Sequence, residues 1–299
     1  MTAAAPVPFV DTHVHFWDLA HPTLTYGWLA PGVVHPILGD IEAMKSPRYD
    51  AQSLLAESRF ADVQAFVHVQ AAVGTPDPVE ETAWLNDMAD AVGEPSAIVA
   101  HADLSSGDLA VTLDRHVACG RLRGVRDFAL EPALASGETT SFETGLLELA
   151  SRMLVVDLDC EWPNMAEAAR LASRHQGVTF ALEHLGYPRN RDPEYFEGWK
   201  TGITALAASD NVYCKISGLG MGDHSWKTES IRPWVLHCIE SFGTARCVFG
   251  TNWPVDRLYS SYDAVVSAYR ETVADLTLDE QHDVLHRNAE ALYRLNDAS

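Results

Sequence analysis

Phe9-Val10-Asp11-Thr12-His13-Val14-His15-Phe16-Trp17 is the stretch on which the fold turns. It opens apolar and β-prone and runs into polar groups, as a strand buried on both faces does. Seven later runs share this character, at 65–70, 98–103, 122–128, 154–161, 179–184, 212–217 and 246–252, after a first strand at 9–15. Helix-period stretches lie between them, at 78–92, 109–119, 164–175, 194–208, 229–242, 262–274 and 279–295. Asn164 is the expected N-cap of the third, and Thr277 or Asp279 stands near the cap of the last. Strand and helix alternating eight times predict an α/β chain folded as one (β/α)8 TIM barrel over residues 1–299. An open doubly wound sheet is the runner-up, but no GxGxxG follows the first strand.

Two segments break the repeat. Residues 17–61 form a long loop insertion rich in Pro, Gly, Tyr and Trp, and 219–230 follow the seventh strand. Both leave from strand C-terminal ends, where barrels build pockets. Phe16, Trp17, Tyr26 and Trp28 of the first are candidate pocket walls, with Trp17 the one expected at the substrate.

Charge narrows the partners. Of 299 residues 42 are acidic and 21 basic, a net charge of -21. Such a surface repels nucleic-acid phosphates and anionic lipid heads, so a small molecule is the expected partner, and oligomeric state is not readable. Five scattered cysteines without a CxxC pair read as reduced thiols. With no secretory signal in MTAAAPVPF and no long apolar run, the expected location is the cytoplasm.

The chemistry-bearing residues stand at strand ends. Residues two apart in a strand share a side, so His13 and His15 both face the mouth, able to share a metal or polarise a carbonyl. His184, in Glu183-His184-Leu185-Gly186, ends the sixth strand. Arg126 ends the fourth and Lys215 the seventh, each able to grip a carboxylate. His68, on the second, extends the polar lining. Glu161 ends the fifth, either as a proton acceptor or oxygen ligand or as a partner of Arg126. There is no GxSxG elbow, P-loop or HExxH.

DTHVHFWD (11–18), EHLG (183–186), KISGLG (215–220) and GTNWP (250–254) together resemble the amidohydrolase-2 branch of the amidohydrolase superfamily, over nearly the whole chain. The nearest likeness is to the cluster holding sugar lactonases and 2-pyrone-4,6-dicarboxylate lactonase. The resemblance implies a (β/α)8 barrel that hydrolyses small cyclic esters or amides, with His13, His15 and His184 at the family's histidine positions. It also implies one divalent metal, zinc or manganese, although metal-independent action fits too. The chain departs from the pattern at strand eight. The family there usually reads G-S-D-W-P, and this chain has Asn252, an amide that cannot act as a base near neutrality. Asp256, four residues on, is the candidate relocated base, alongside Glu161.

The expected function is therefore hydrolysis of a small lactone, or related ester or amide, carrying carboxylate or hydroxyl groups. His13, His15 and His184 polarise the carbonyl or hold the metal, while Arg126, Lys215, Asn252, Trp17 and His68 contact the substrate. A metal-dependent decarboxylase or hydratase of an aromatic-derived acid, and a non-catalytic binding barrel, are the alternatives.

Overall fold

The structure, a computed structural model, describes residues 6–296; the remaining ends of the expected 1–299 domain, including most of MTAAAPVPF, lie outside the described residues. Eight parallel strands run in sequence order around one sheet: β1 Phe9–Val14, β2 Val63–Val69, β3 Ala97–His101, β4 Leu122–Arg126, β5 Val155–Leu158, β6 Phe180–Leu182, β7 Val212–Ile216 and β8 Cys247–Phe249. The helices are α1 Ala51–Ser58, α2 Val79–Val92, α3 Leu109–Val117, α4 Leu130–Ser136, α5 Glu143–Ser151, α6 Met165–Arg174, α7 Pro193–Ala207, α8 Thr228–Phe242, α9 Tyr262–Thr272, α10 Leu278–His282 and α11 Asn288–Tyr293. This is a nearly closed, single-domain (β/α)8 barrel. Among the described residues no helix is long and apolar enough to cross a membrane.

Two apolar clusters follow from the alternation of strand side chains. Val10, Ala65, Val67, Val69, Ala97, Val99, Val155, Ala181 and Val248 fill the barrel with small branched or short side chains. Tyr293, from α11, joins them, and its hydroxyl reaches Asp157 at 3.4 Å. The opposite strand faces pack against the helices in the larger cluster.

The first and last strands meet through side chains more than through a ladder. Their backbone contact is a bridge from Val14 to Trp253, with His15 N donating to the Trp253 carbonyl at 2.8 Å. Buried Asp11 does the rest. It accepts from Thr251 N (2.8 Å), Thr251 Oγ1 (2.6 Å), the Tyr262 hydroxyl (2.7 Å) and His13 N (3.2 Å). Gly250 is required here, since a Cβ would lie 2.8 Å from His13 Cβ and 2.9 Å from its amide nitrogen.

Three expectations are corrected. The insertion does not run to residue 61 as loop, because its end is α1, whose Asp50 cap accepts from Ser53 N. Helices α4 and α5 were not anticipated between β4 and β5. Asn164 does not cap α6 with its side chain, which donates instead to Glu131, whereas Thr277 caps α10 and forms a capping box with Glu280.

Candidate active site

Strict alternation would send His13 outward, since Phe9 joins the outer cluster and Val10 the inner one. The pairing of β1 with β2 shifts register between Asp11 and Val14, and such an irregularity re-aims side chains. His13 and His15 consequently meet at the mouth, with their Nε2 atoms 3.1 Å apart. The His184 ring lies 4.4 Å from that of His13, centroid to centroid. His184 and Leu185 both hold left-handed backbone (φ 51° and 54°), which turns the chain sharply at the end of β6. Gly218 (φ +63°) leaves room for the imidazole, as a Cβ there would stand 2.6 Å from His184 Nδ1.

Each imidazole has its Nδ1 side directed at protein. His15 Nδ1 donates to the Val69 carbonyl (2.8 Å), so its Nε2 carries a lone pair. His184 Nδ1 bonds the Ser217 hydroxyl (2.8 Å), leaving the Nε2 edge for the cavity. His13 Nδ1 is buried without a hydrogen-bond partner and stands 3.6 Å from Glu183 Oε1. Burial, reinforced by neighbouring cationic groups, holds His13 and His15 well below the usual imidazole pKa, and burial brings His184 down to about 3. All three are therefore neutral at pH 7.

That neutrality creates a conflict at His13. If its proton is on Nε2, the Nδ1 lone pair faces the Glu183 carboxylate. If its proton is on Nδ1, two Nε2 lone pairs face each other across 3.1 Å. A cation between the Nε2 atoms removes both repulsions. Two Zn–N bonds of about 2.0–2.1 Å span roughly 3.0–3.4 Å, which matches that spacing. The donor set thus suits a divalent metal. A second grouping, His13, Asp157 and Glu183, brings ligand atoms within 4.8 Å of one another. Its carboxylates already face cations, however. Glu183 takes two bonds from Arg126 (3.1 and 3.3 Å) and one from the Tyr187 hydroxyl (3.0 Å), while Asp157 pairs with Lys215. Although burial opposes ionisation of Glu183, the charges of Arg126 and Lys215 hold its carboxyl well below the usual range.

These groups flank a cavity of about 300 Å³, room for a small ring. His15, His35, His184, Asn252, Arg126, Gln70, Asp159, Tyr187 and Arg189 supply its polar wall, and Trp28, Ile37, Leu38, Phe128 and Met221 supply much of its apolar one. Asn252 sits in left-handed backbone (φ 58°), lines the cavity and donates Nδ2–H to Asp256 Oδ2 at 2.8 Å.

Several expected contacts lie elsewhere. Asp256 is behind Asn252, not on the wall, and its other oxygen accepts from Gly220 N (3.0 Å). Burial raises its pKa to about 7. Glu161 is at the partly exposed rim, tied to Arg189 rather than to Arg126. Lys215 is wholly buried against Asp157 and does not reach the cavity. Both nitrogens of His68 are occupied, one by Phe16 N (3.2 Å) and one by Glu81 (3.3 Å), so it braces the end of β1. Trp17 is core of the insertion, its indole donating to the Ser46 carbonyl (2.9 Å). Of the four aromatic residues expected as walls, Trp28 alone lines the cavity. Sequence reading passed over Asp159, Tyr187 and Arg189. The alternation of Asp157, Asp159 and Glu161 along one strand was the available signal for the first.

The amidohydrolase family profile matches residues 10–295. The chain belongs to the amidohydrolase family. It is 35% identical to the uncharacterized protein y4mH of Sinorhizobium fredii, over 97% of this chain and 99% of that one. It is 27% identical to an L-fucono-1,5-lactonase of Burkholderia multivorans, covering 86% of each. A crystal structure of a zinc-bound amidohydrolase from Burkholderia multivorans superposes with a TM-score of 0.81 at 25% identity, over 96% of this chain and 99% of that one.

Proposed function

We propose that the protein hydrolyses a small lactone, with His13, His15 and His184 as the electrophilic face of its site. The convergence of three neutral imidazoles carries this reading, with His15 and His184 on the cavity wall and His13 buried against both. The likeness to a lactonase supports it, and so does family membership. His13 and His15 would hold a divalent metal through Nε2, with His184 beside them. When bound, the ion supplies Lewis-acid polarisation of the lactone carbonyl.

The chain's own groups do the remainder. The Val69 carbonyl and the Ser217 hydroxyl fix the rings of His15 and His184. Glu183 Oε1, 3.6 Å from His13 Nδ1, would favour the tautomer protonated there, which leaves Nε2 free to hold the metal. The Asn252 carbonyl oxygen, held by Asp256, accepts a hydrogen bond from a substrate hydroxyl or from water. The apolar wall of Trp28, Ile37, Leu38 and Val255 thins out bulk water around a bound ring.

The test is a panel of sugar lactones and pyrone carboxylates assayed with and without chelator. Turnover of a lactone that His13→Ala and His184→Ala abolish is expected. Unchanged turnover in both variants would sink the reading.

A further inference from the structure

Lactone opening needs an acceptor for the proton of the attacking water, and most acids near the mouth are already committed. Asp256 has both oxygens bonded, to Asn252 and Gly220. Glu183 is held by Arg126 and Tyr187, Asp157 by Lys215, and Glu161 by Arg189 at the rim. One carboxylate remains. Asp159, one residue past the end of β5, lines the same cavity as His15, His184 and Asn252. Among the described residues no protein group donates a hydrogen bond to it.

We infer that Asp159 is the general base for the water that opens the lactone, an assignment that rests on the function proposed above. Four charged groups surround it: Glu183 from the end of β6, Arg126 from β4, Glu131 from α4 and Arg189 from the loop after β6. Burial pushes its pKa up to about 7, and Glu183 pushes the same way while Arg126 pulls against. A base is most effective with a pKa near the working pH.

The water oxygen bonds the carbonyl carbon as its proton passes to an Asp159 oxygen, and the carbonyl π pair moves onto the carbonyl oxygen. That pair returns as the ring C–O bond breaks, and Asp159 gives its proton to the departing alkoxide. Lactone and water become a hydroxy acid, and Asp159 is again a carboxylate.

The experiment compares wild type, Asp159→Ala, Asp159→Asn and Glu161→Gln on the best lactone of the panel, with kcat and KM followed over pH 5–9. In Asp159→Ala, kcat is expected to fall about 10²–10⁴-fold, the usual worth of a positioned base, with KM little changed. The decline of kcat on the acid side should disappear with it, and added sodium formate should restore part of the rate by supplying a carboxylate to the vacated space. Glu161→Gln should keep both the rate and the acid limb. The inference is overturned if Asp159→Ala stays within tenfold of wild type, if its acid limb persists, or if formate restores nothing. Should the alanine variant fail to fold, Asp159→Asn decides by the same kcat and acid-limb criteria. A wild type inert on every lactone overturns the proposed function itself, whereas an active wild type with an active Asp159→Asn overturns this inference alone.

Discussion

Asp159, next after β5, and Asp256, in the turn that follows β8, are both acids that burial lifts to about pKa 7. Their surroundings differ in what they leave over. At β8 an amide stands in front and the acid behind it, with each acid oxygen occupied. At β5 the acid itself meets the cavity. A shifted pKa therefore marks burial, and the free lone pair facing substrate is what separates a reacting carboxylate from a supporting one.

The comparison breaks most visibly in turnover. Asp159→Asn should cost about 10²–10⁴ in kcat. Asp256→Asn, which loosens the Asn252 amide without touching the reacting atoms, should cost at most about tenfold, the price of one mis-set hydrogen bond. Equal losses from steady-state kinetics would erase the distinction.

Next in size is Lys215→Met. It leaves Asp157 buried and uncompensated, and breaking such a pair costs about 3–5 kcal/mol. Chemical denaturation should register that loss, marking Lys215 as structural where a substrate-gripping lysine would chiefly raise KM.

Asp256 also carries a pH signature. Its folded pKa of about 7 exceeds the ordinary 3.8. The folded chain therefore binds this proton better than the unfolded chain between those values, and stability from this group is full below the lower value and lost as pH rises through the upper. Asp256→Asn should lessen the fall in Tm between pH 5 and pH 8. Asn252→Asp should steepen it, because two carboxylates in hydrogen-bond contact cannot both ionise readily. Parallel melting curves for all three proteins would contradict this.

The smallest effect belongs to the rim. Glu161→Gln removes an ion pair about one-third exposed, worth about 0–1 kcal/mol. Thermal unfolding should barely move.

The barrel was legible because buried parallel strands are continuous apolar runs. Each of the eight expected runs contains most or all of one observed strand. The missed helices, α1 and α4 among them, are short and sit in segments whose turn-forming residues masked their period. The imidazoles were legible as strand ends, yet for an incomplete reason: alternation alone would turn His13 away, and the irregularity in β1 restores it. The acids were not legible. Whether Glu161, Asp159 or Asp256 meets the cavity depends on Arg189, Asn252 and Gly220, partners that lie on other segments or in loops with no periodic signal. Arg126 and Lys215 differ for a similar reason, since only the first reaches the wall.

The four donors gathered on Asp11 have a temporal consequence. Thr251 and Tyr262 are 240 and 251 residues downstream. At a synthesis rate of about 5–20 residues per second, the nascent first strand waits on the order of ten to fifty seconds for them. During translation the Asp11 carboxylate is satisfied by water, and the barrel can close around it only after the last strand has been made.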